Sequence, residues 1–431
     1  MRKVSIFLLL MVSVLFGQDD SLVLDLSGWV QLAFENSPDL DRSSADLFSA
    51  DAAVSSSKSF LWPSLTFNSS AGHSWSSTPD MAGGYTDMDN SSWSLSAGLS
   101  QEILASGGSS WLRLSGSRHA REASRFDLDQ ARLDLTMDVI EAYYGVIESI
   151  GLCATAEKAL DRTNEQMRRI QSLYDLGAAT NLELIQTEVQ QSRDSLTLLQ
   201  RKQAVANAYA LLHQTVGLVG SNTSVNTAAV LRPISVRSAI NIDINLSRNI
   251  SLAAARERLI EVELSHEAYK RSYWPSLNAS GNWSWNNDEL DFDDFTDRDS
   301  WSVSLTLSWT LFDGFSRESR IQSSRASVLR QQASFELLDN SLRTAVLTRQ
   351  NDLISSIETW QLSLELLNQA EEQLRLSMMS YDLGSLSLLD LLDAQSGVSD
   401  AEATVESAIA TSLIAEARLF VLLGQAPRTG E

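Results

Sequence analysis

The sequence repeats itself across its two halves. Trp62-Pro63-Ser64-Leu65 recurs as Trp274-Pro275-Ser276-Leu277, and the numbers differ by 274 − 62 = 212. Tyr174-Asp175-Leu176-Gly177 recurs as Tyr381-Asp382-Leu383-Gly384, and the numbers differ by 381 − 174 = 207. Two separate motifs with similar offsets predict a duplication of about half the chain. We therefore expect a first repeat over residues 18–216, a linker over 217–236, a second repeat over 237–424 and a short tail over 425–431.

The N-terminal segment 1–17 is typical of a signal peptide. Arg2 and Lys3 precede an apolar stretch from Val4 to Phe16, and the small residue Gly17 follows. A charged start, a short apolar stretch and a small residue form the secretory pattern. The stretch is too short for a membrane anchor, and no later stretch approaches the roughly 20 apolar residues of a transmembrane helix. An exported chain of this kind is periplasmic, secreted or part of a membrane β-barrel.

Composition excludes several classes of function. The chain has 33 basic and 55 acidic residues, a formal net charge of −22, which disfavours nucleic acid as a partner. Its single cysteine, Cys153, excludes an intrachain disulfide framework. The four histidines lack metal-ligand spacing, and no Gly-x-Ser-x-Gly motif stands at a strand-to-helix turn. We expect no catalytic site, no metal and no cofactor, and hence a protein that is not an enzyme.

Four short segments alternate between apolar and polar residues. From Trp301 to Leu311 every odd position is apolar and every even position is Ser or Thr, and Trp93–Ser100 repeats the pattern. This period of two predicts strands with one apolar and one polar face. Their predicted partner strands are Leu65–Trp75 and Leu277–Trp285.

Polar loops are predicted to join the two strands of each pair, over Ser76–Asn90 and Asn286–Ser300. The second loop is rich in aspartate. A solvated loop is favoured over a calcium site, because the segment lacks the spacing and central glycine of an EF-hand.

Long helices are predicted between the strand pairs. Ser109–Leu176 and Ser316–Leu383 contain no proline, and each ends at a glycine that suits a left-handed cap. Return helices over Asn181–Val216 and Leu388–Leu423 would make each long helix one arm of an antiparallel hairpin. Shorter helices, Asp39–Phe60 and Ile250–Tyr273, lead to the two Trp-Pro motifs, where proline favours the start of a strand.

Four strands per chain are too few for a closed barrel, and an open sheet edge is not stable in lipid. Two chains would give eight strands and a barrel filled by side chains, whereas three would give twelve strands and room for water. Tryptophans in or beside the strands suit the aromatic girdles of membrane barrels. The alternative is a soluble sheet whose apolar face covers a core. The predicted fold is mainly α-helical, with long helical hairpins and four strands that contribute to a shared trimeric barrel of twelve strands.

The duplicated order of helix, two strands, long helix and return helix resembles the TolC-type outer-membrane efflux proteins, from about Leu24 to Gly424. The sharpest marker is Tyr381–Gly384 followed by Leu388-Leu389-Asp390-Leu391-Leu392-Asp393-Ala394-Gln395. Its first-half counterpart is Tyr174–Gly177 followed by Asn181-Leu182-Glu183-Leu184-Ile185-Gln186.

The resemblance implies a homotrimer in the outer membrane with a long periplasmic helical tunnel. It also implies a periplasmic adaptor protein and, through that adaptor, an inner-membrane pump, which together form a tripartite efflux or type I secretion system. Nucleic acid is not among the implied partners. The hairpin tips, marked by Tyr174, Gly177 and Gly384, would contact the adaptor.

The resemblance also implies the entrance residues. Acids at the positions of Asp390 and Asp393 form rings around the constricted entrance in that family. An acid at the position of Glu183 there links the closed entrance to a Tyr, matched by Tyr381, and to an Arg, whose place Leu386 takes in this chain. We therefore expect closure to depend on apolar packing around Leu386 and on Tyr381. The rival interpretations are a periplasmic coiled-coil scaffold or adaptor with a soluble β domain, and a secreted hydrolase.

Overall fold

A computed structural model of the protein describes residues 23–79, 83–218, 223–226, 232–240, 242, 245–288, 299–425 and 427–428. The predicted signal peptide and the acidic segment 289–298 lie outside these residues, as do parts of the predicted linker and tail.

The described elements follow one another in the order strand, helix, strand pair, long helix and return helix, and then in a similar order again. The strands are β1 (Val23–Leu24), β2 (Ser64–Pro79), β3 (Tyr85–Leu104), β4 (Ser224–Val225), β5 (Ser276–Asn287) and β6 (Asp299–Ser308). The α-helices are α1 (Leu26–Asn36), α2 (Pro38–Ser57), α3 (Ser109–Asp175), α4 (Asn181–Val216), α5 (Val236–Ile240), α6 (Ile250–Lys270), α7 (Ser316–Asp382) and α8 (Leu388–Leu422).

The chain divides into two compact units. The strand unit comprises the described parts of residues 43–128 and 250–340, and the hairpin unit comprises those of residues 1–42, 129–249 and 341–431. The helices α2, α3 and α7 contribute residues to both units.

The strand unit contains one antiparallel sheet of four strands in the order β2-β3-β5-β6. Apolar residues face each other on one side, as in the pairs Leu65↔Leu99 and Leu277↔Leu307. On the other side serine hydroxyls bond across the strands, with 2.7 Å between the Oγ atoms of Ser70 and Ser94. The alternation predicted from the sequence therefore separates the two faces, and the edge strands β2 and β6 are exposed along their whole length.

The strands of the first pair are longer than the sequence predicted. Most of the predicted loop Ser76–Asn90 is paired strand, because the register continues from Ser76↔Met88 to Pro79↔Tyr85. These extensions of β2 and β3 were not predicted because the residues there are mostly polar, and a half-buried strand is recognised by alternation of polar with apolar residues.

A single 3-10 turn stands between each short helix and the following strand. Helix α2 ends at Ser57 and a 3-10 turn covers Ser59–Leu61, whereas α6 ends at Lys270 and a 3-10 turn covers Arg271–Tyr273. The prediction that both helices run up to the Trp-Pro motifs was therefore slightly too long.

Left-handed residues make the turns from strand to long helix. Gly107 (φ 64°) and Gly108 (φ 84°) precede α3, and Gly314 (φ 69°) and Phe315 (φ 65°) precede α7. A side chain in this region costs about 1–3 kcal/mol, which glycine avoids. Phe315 therefore carries backbone strain that its first-repeat counterpart Gly108 (315 − 108 = 207) does not.

The hairpin unit has the predicted helices with nearly the predicted bounds. The observed α4 matches its prediction, and α3, α7 and α8 each end one residue before theirs. Polar bonds join α3 to α4 in antiparallel order, because Thr163 donates to Asp194 at 2.5 Å and Lys202 pairs with Glu157 at 3.4 Å.

The core of the hairpin unit includes a helix, α1, that was not predicted from the sequence. Helix α1 begins after Asp25, whose carboxylate accepts the backbone N–H of Gly28 at 2.9 Å, and it buries Trp29 completely. An N-cap aspartate before an apolar stripe was the available signal. The short parallel pair of β1 and β4 was also missed, since such short strands leave no period.

One helical stretch, Ser106–Asp175, is long and apolar enough in part to cross a membrane by composition alone. The sequence prediction that no further stretch is so apolar is corrected for this helix. Half of its apolar window is buried within the protein, and α3 supplies Val139, Ile140 and Val146 to the core. Core packing therefore accounts for its apolar character.

The C-terminal tail is tied to α8 by an ion pair between a half-exposed arginine and a buried carboxylate. Arg428 Nη1 donates to Oε1 of Glu416 at 2.9 Å, and only 5% of the Glu416 side chain is exposed. Burial, followed by the charges of Tyr143 and Glu416, raises the pKa of the neighbouring Tyr144 to about 12, with Arg428 opposing.

We predict that Arg428→Gln destabilises the protein by about 1–3 kcal/mol, because it leaves a buried carboxylate without its cation. Thermal or denaturant unfolding followed by circular dichroism measures the change. The control is Arg375→Gln, which removes an exposed pair with Glu372 on α7 and should leave the midpoint nearly unchanged. Equal midpoints for both variants would contradict the prediction.

Candidate functional site

The two hairpins turn in the same way. Gly177 (φ 75°) and Gly384 (φ 72°) hold left-handed conformations directly after α3 and α7. Their N–H groups donate to the carbonyls of Tyr174 and Tyr381, each at 2.9 Å, and the next N–H bonds one residue further back. This pattern is a Schellman cap, which lets the chain reverse within a short segment. A Cβ at either glycine would meet open space, so conformation rather than crowding requires glycine there.

The acids that follow each turn bond to the N-cap residues of the return helices, Thr180 and Ser387. Thr180 Oγ1 accepts the N–H of Glu183 at 3.2 Å, and Glu183 Oε2 accepts the N–H of Thr180 at 2.7 Å, which completes a capping box. Ser387 caps α8 in a related way, because its hydroxyl accepts the N–H of Asp390 at 3.3 Å and donates to Oδ2 of Asp390 at 2.6 Å. Glu183 and Asp390 therefore each stabilise a helix start, whatever else they do.

Asp390 and Asp393 lie on the exposed side of α8. Both are exposed, whereas Leu391, Leu392 and Ala394 are buried. Among the described residues Asp393 has no ion pair or hydrogen bond through its side chain, so its carboxylate is available to whatever surrounds this face. The structure thus gives the two acids a common direction, as their spacing of three predicts.

Tyr381 connects the two hairpins of one chain. It packs against one buried cluster that includes Leu374 and Leu391 of its own hairpin, and against a second cluster that includes Ile170 of the other hairpin. Its ring also lies under the guanidinium of Arg169 on α3, at 5.6 Å from the ring centroid. A Tyr face and an Arg cation at that distance attract each other.

Arg169 is the basic residue that the sequence reading did not find. Besides facing Tyr381, it pairs with the carboxylate of Asp382. Arg169 occupies the first-repeat position that corresponds to Leu376 (376 − 169 = 207). The two repeats differ at this position, with a charged residue in the first and a leucine in the second. This difference was the sequence signal that could have identified Arg169.

The ionisation of Tyr381 depends on both hairpins. Burial raises the pKa of Tyr381, the charge of Glu183 raises it further, Arg169 lowers it, and Asp382 raises it. The net direction is upward, so the phenol stays protonated at neutral pH.

Leu386 follows the second turn and is half-buried. It lines a groove together with Leu376, Ser377 and Ser380 of α7. Leu376 is the other apolar residue of this groove, and the part of Leu386 in closing an entrance stays a prediction.

Both turns expose leucines at equivalent positions. Leu176 and Leu383 are 81% and 83% exposed, and Leu182 and Leu389 are 65% and 54% exposed. Tyr174 is 40% exposed. Each tip therefore presents an apolar surface of the kind that marks a protein interaction site.

Among the residues that the structure describes, no group of three or more His, Cys, Asp and Glu side chains could hold a metal ion. What the site offers is instead a pair of apolar tips, an exposed acidic face and an Arg-Tyr contact between hairpins.

Comparison with known proteins identifies relatives over nearly the whole chain. The sequence model of the family described as outer membrane efflux protein matches residues 29–218 and 241–425. A comparison with curated proteins finds no match.

Solved structures share the fold at low sequence identity. The outer-membrane channel OprN has a TM-score of 0.79 and 19% identity, covering 93% of this chain and 90% of its own. The Campylobacter jejuni CmeC outer membrane channel has a TM-score of 0.79 and 16% identity, covering 94% and 87%. The outer membrane protein VceC from Vibrio cholerae has a TM-score of 0.76 and 18% identity, covering 94% and 97%.

We predict that Arg169→Gln raises the pKa of Tyr381, because it removes the cation that favours the phenolate. Glu183→Gln should lower it, since a negative charge disappears. Ultraviolet titration measures both, with the Tyr381→Phe protein subtracted to isolate this phenol. Arg168→Gln, on the neighbouring residue, is the control and should leave the titration unchanged. An unchanged Tyr381 pKa in Arg169→Gln would show that the two side chains do not interact.

Proposed function

The chain belongs to the outer membrane efflux protein family, and from this premise we propose that three copies form one channel that exports cargo across the outer membrane. The channel is a passive conduit with no chemistry of its own. The observation that carries the proposal is the four-stranded sheet, which has an apolar face, a hydroxyl face and two unpaired edges.

A neighbouring copy would supply hydrogen-bond partners for the edge strands that a single chain leaves unpaired. Lipid offers no partners for the unpaired backbone groups along β2 and β6, so a sheet in a membrane must close. The apolar face of the sheet, with Leu65, Phe67, Val303 and Leu305 all at least two-thirds exposed, suits the lipid side. Three chains supply twelve strands, the smallest number of chains that leaves a barrel wide enough for water.

The internal duplication predicts how neighbouring copies pair. Within one chain β3 pairs with β5, and Ser100 lies opposite Ser280. Ser308 corresponds to Ser100 (308 − 100 = 208, as for Trp301 and Trp93), and Asn68 corresponds to Ser280 (280 − 68 = 212). The pairing of β6 with β2 of the next copy therefore places Ser308 opposite Asn68.

The hairpin tips serve as the entrance and as the adaptor surface in this proposal. The exposed leucines at 176, 182, 383 and 389 suit an apolar contact with a periplasmic adaptor protein, which couples the channel to an inner-membrane pump. Tyr174, Gly177 and Gly384 shape these tips. The proposed location is the outer membrane, with the helical hairpins in the periplasm.

The gate in this proposal has two parts. Asp390 and Asp393, two per chain in three chains, supply a ring of carboxylates that favours cations. Arg169 and Tyr381 hold the two hairpins of one chain together, with Glu183 close enough to act on the Tyr381 phenol. Leu386 replaces a basic residue on the second hairpin, and Arg169 supplies the positive charge from the first.

Family membership supports a channel over the rival scaffold or soluble adaptor. A soluble sheet would need a covered apolar face, whereas β6 exposes Trp301, Val303, Leu305 and Leu307 in the single chain. The matching test is solubility, because the barrel requires detergent and the scaffold does not.

We predict that Asn68→Cys combined with Ser308→Cys links copies through disulfides and yields a trimer band on denaturing gels. Directly opposite residues have Cα atoms about 4.5–5.5 Å apart, which suits a disulfide. Cys153→Ser provides the background, and each single variant is the control. A detergent-solubilised chain that stays monomeric, with an intact β signal, would contradict the shared barrel.

We predict that Asp393→Asn weakens the cation preference of the channel. Asp393 is the sharper choice because the Asp390 carboxylate also accepts the hydroxyl of Ser387, the N-cap residue of α8, so its loss affects the helix start as well as the charge. Reversal potentials in planar bilayers under a salt gradient measure the preference, and Asp400→Asn, an exposed acid further along α8, is the control. A reversal potential that does not move places Asp393 away from the conducting path.

A further inference from the structure

The turn before α3 packs against the second Trp-Pro motif. A Cβ on Gly107 would come within 2.8 Å of the Cβ and Cγ of Trp274. Glycine is thus required there for two reasons, the positive φ of the backbone and the indole side chain that packs against it. A turn of the first repeat and a tryptophan of the second repeat form this contact within one chain.

The corresponding contact is absent from the described residues of a single chain. Gly314 corresponds to Gly107 and Trp62 corresponds to Trp274, yet a Cβ on Gly314 would meet nothing within 4 Å. Trp62 is 75% exposed. The turn and the indole that would complete the second contact are both present but do not meet.

Phe315 makes the open turn unusual. It holds a left-handed φ of 65° where the first turn has Gly108, and its side chain is 70% exposed. Its ring contacts that of Phe312 edge-on, at 5.5 Å between centroids, and Phe312 is 72% exposed. A strained, exposed aromatic residue gains little in the isolated chain, so the compensating contact is expected from outside it.

We propose that the turn Asp313–Ser316 of one copy docks on Trp62 of the next copy, with Phe315 as an aromatic lock beside that indole. This inference rests on the proposed shared barrel, and it adds a specific contact between copies at the point where strands become helices.

The strand order favours a second copy over lipid as the occupant. Edge strand β6 leads directly into the open turn, and Trp62 stands directly before the other edge strand, β2. Pairing of β6 with β2 of the next copy brings these two segments together, as the pairing of β3 with β5 brings Gly107 to Trp274. An aromatic pair at such a contact is a common anchor of protein interfaces.

The test is chemical crosslinking of the full chain in detergent. In a Cys153→Ser background, Trp62→Cys with Phe315→Cys is treated with a short bismaleimide and should give dimer and trimer bands. The matched control, Gly108→Cys with Trp274→Cys, places the same groups in the first turn and should link only within one chain.

The cysteine pair at positions 68 and 308 distinguishes failure of the aromatic lock from failure of the shared barrel. If Asn68→Cys with Ser308→Cys links copies and Trp62→Cys with Phe315→Cys does not, the lock is wrong while the shared barrel stands. If neither pair links copies, the shared barrel fails as well. Labelling of Phe315→Cys by a membrane-soluble maleimide, without any link to Trp62→Cys, would assign the residue to lipid and overturn the lock.

A double-mutant cycle provides a second readout that does not depend on crosslinking. Phe315→Gly and Trp62→Ala should each lower the temperature at which the trimer dissociates, and the double variant should lower it little further. Phe315→Gly also relieves backbone strain, so a loss of assembly in this variant cannot be attributed to misfolding of the turn. Fully additive effects would show that the two side chains do not touch.

Discussion

The structure depends most on the unpaired backbone groups of two edge strands. Every N–H and C=O along the outer edges of β2 and β6 needs a partner, and a membrane supplies none. Each group left unsatisfied in lipid costs several kcal/mol, more than any single side-chain contact in the sheet. In the proposed barrel, pairing of those edges turns the apolar face to lipid and the hydroxyl face to water, and it brings the turns at the strand ends of neighbouring copies together. The shared barrel is therefore the premise from which the proposed contacts between copies follow.

The two halves of the chain are similar without being equal. Arg169 in the first half corresponds to Leu376 in the second, and Gly108 corresponds to Phe315. The junction between hairpins within one chain thus has a cation against Tyr381. A junction between copies would instead have a leucine at that position and an aromatic residue at the turn. Differences of this kind allow contacts within a chain and between chains to be altered separately.

Much of the architecture could be read from the sequence because its signals are local. The absence of proline, the glycines at 177 and 384 and the period of three to four fixed the long helices to within one residue. The two turns were placed correctly for the same reason. Helix α1 has a local signal as well, the N-cap Asp25, but its short apolar stripe was overlooked.

The remainder depended on contacts that a sequence does not display. The strand residues from Ser76 to Pro79 are polar on both faces, so no alternation reveals them. The role of Arg169 could not be predicted, because it depends on the contact of α3 with Tyr381, a residue of the other repeat. Leu386 lines a groove with Leu376 of its own hairpin, and its part in closure stays a prediction, whereas the basic residue near Tyr381 comes from the other hairpin.

The hydroxyl face of the sheet has a consequence for the passage of solutes. From Ser64 to Ser74, from Ser92 to Ser100 and from Ser302 to Ser308, the polar face carries serine, threonine, asparagine and glycine, without an ionisable side chain. Several of these hydroxyls already bond to one another across the strands. These stretches are electrically neutral, and the next residue on this face of β3 that is ionisable is Glu102. In the proposed channel, solutes would therefore meet only hydroxyl, amide and backbone groups along these stretches of the sheet.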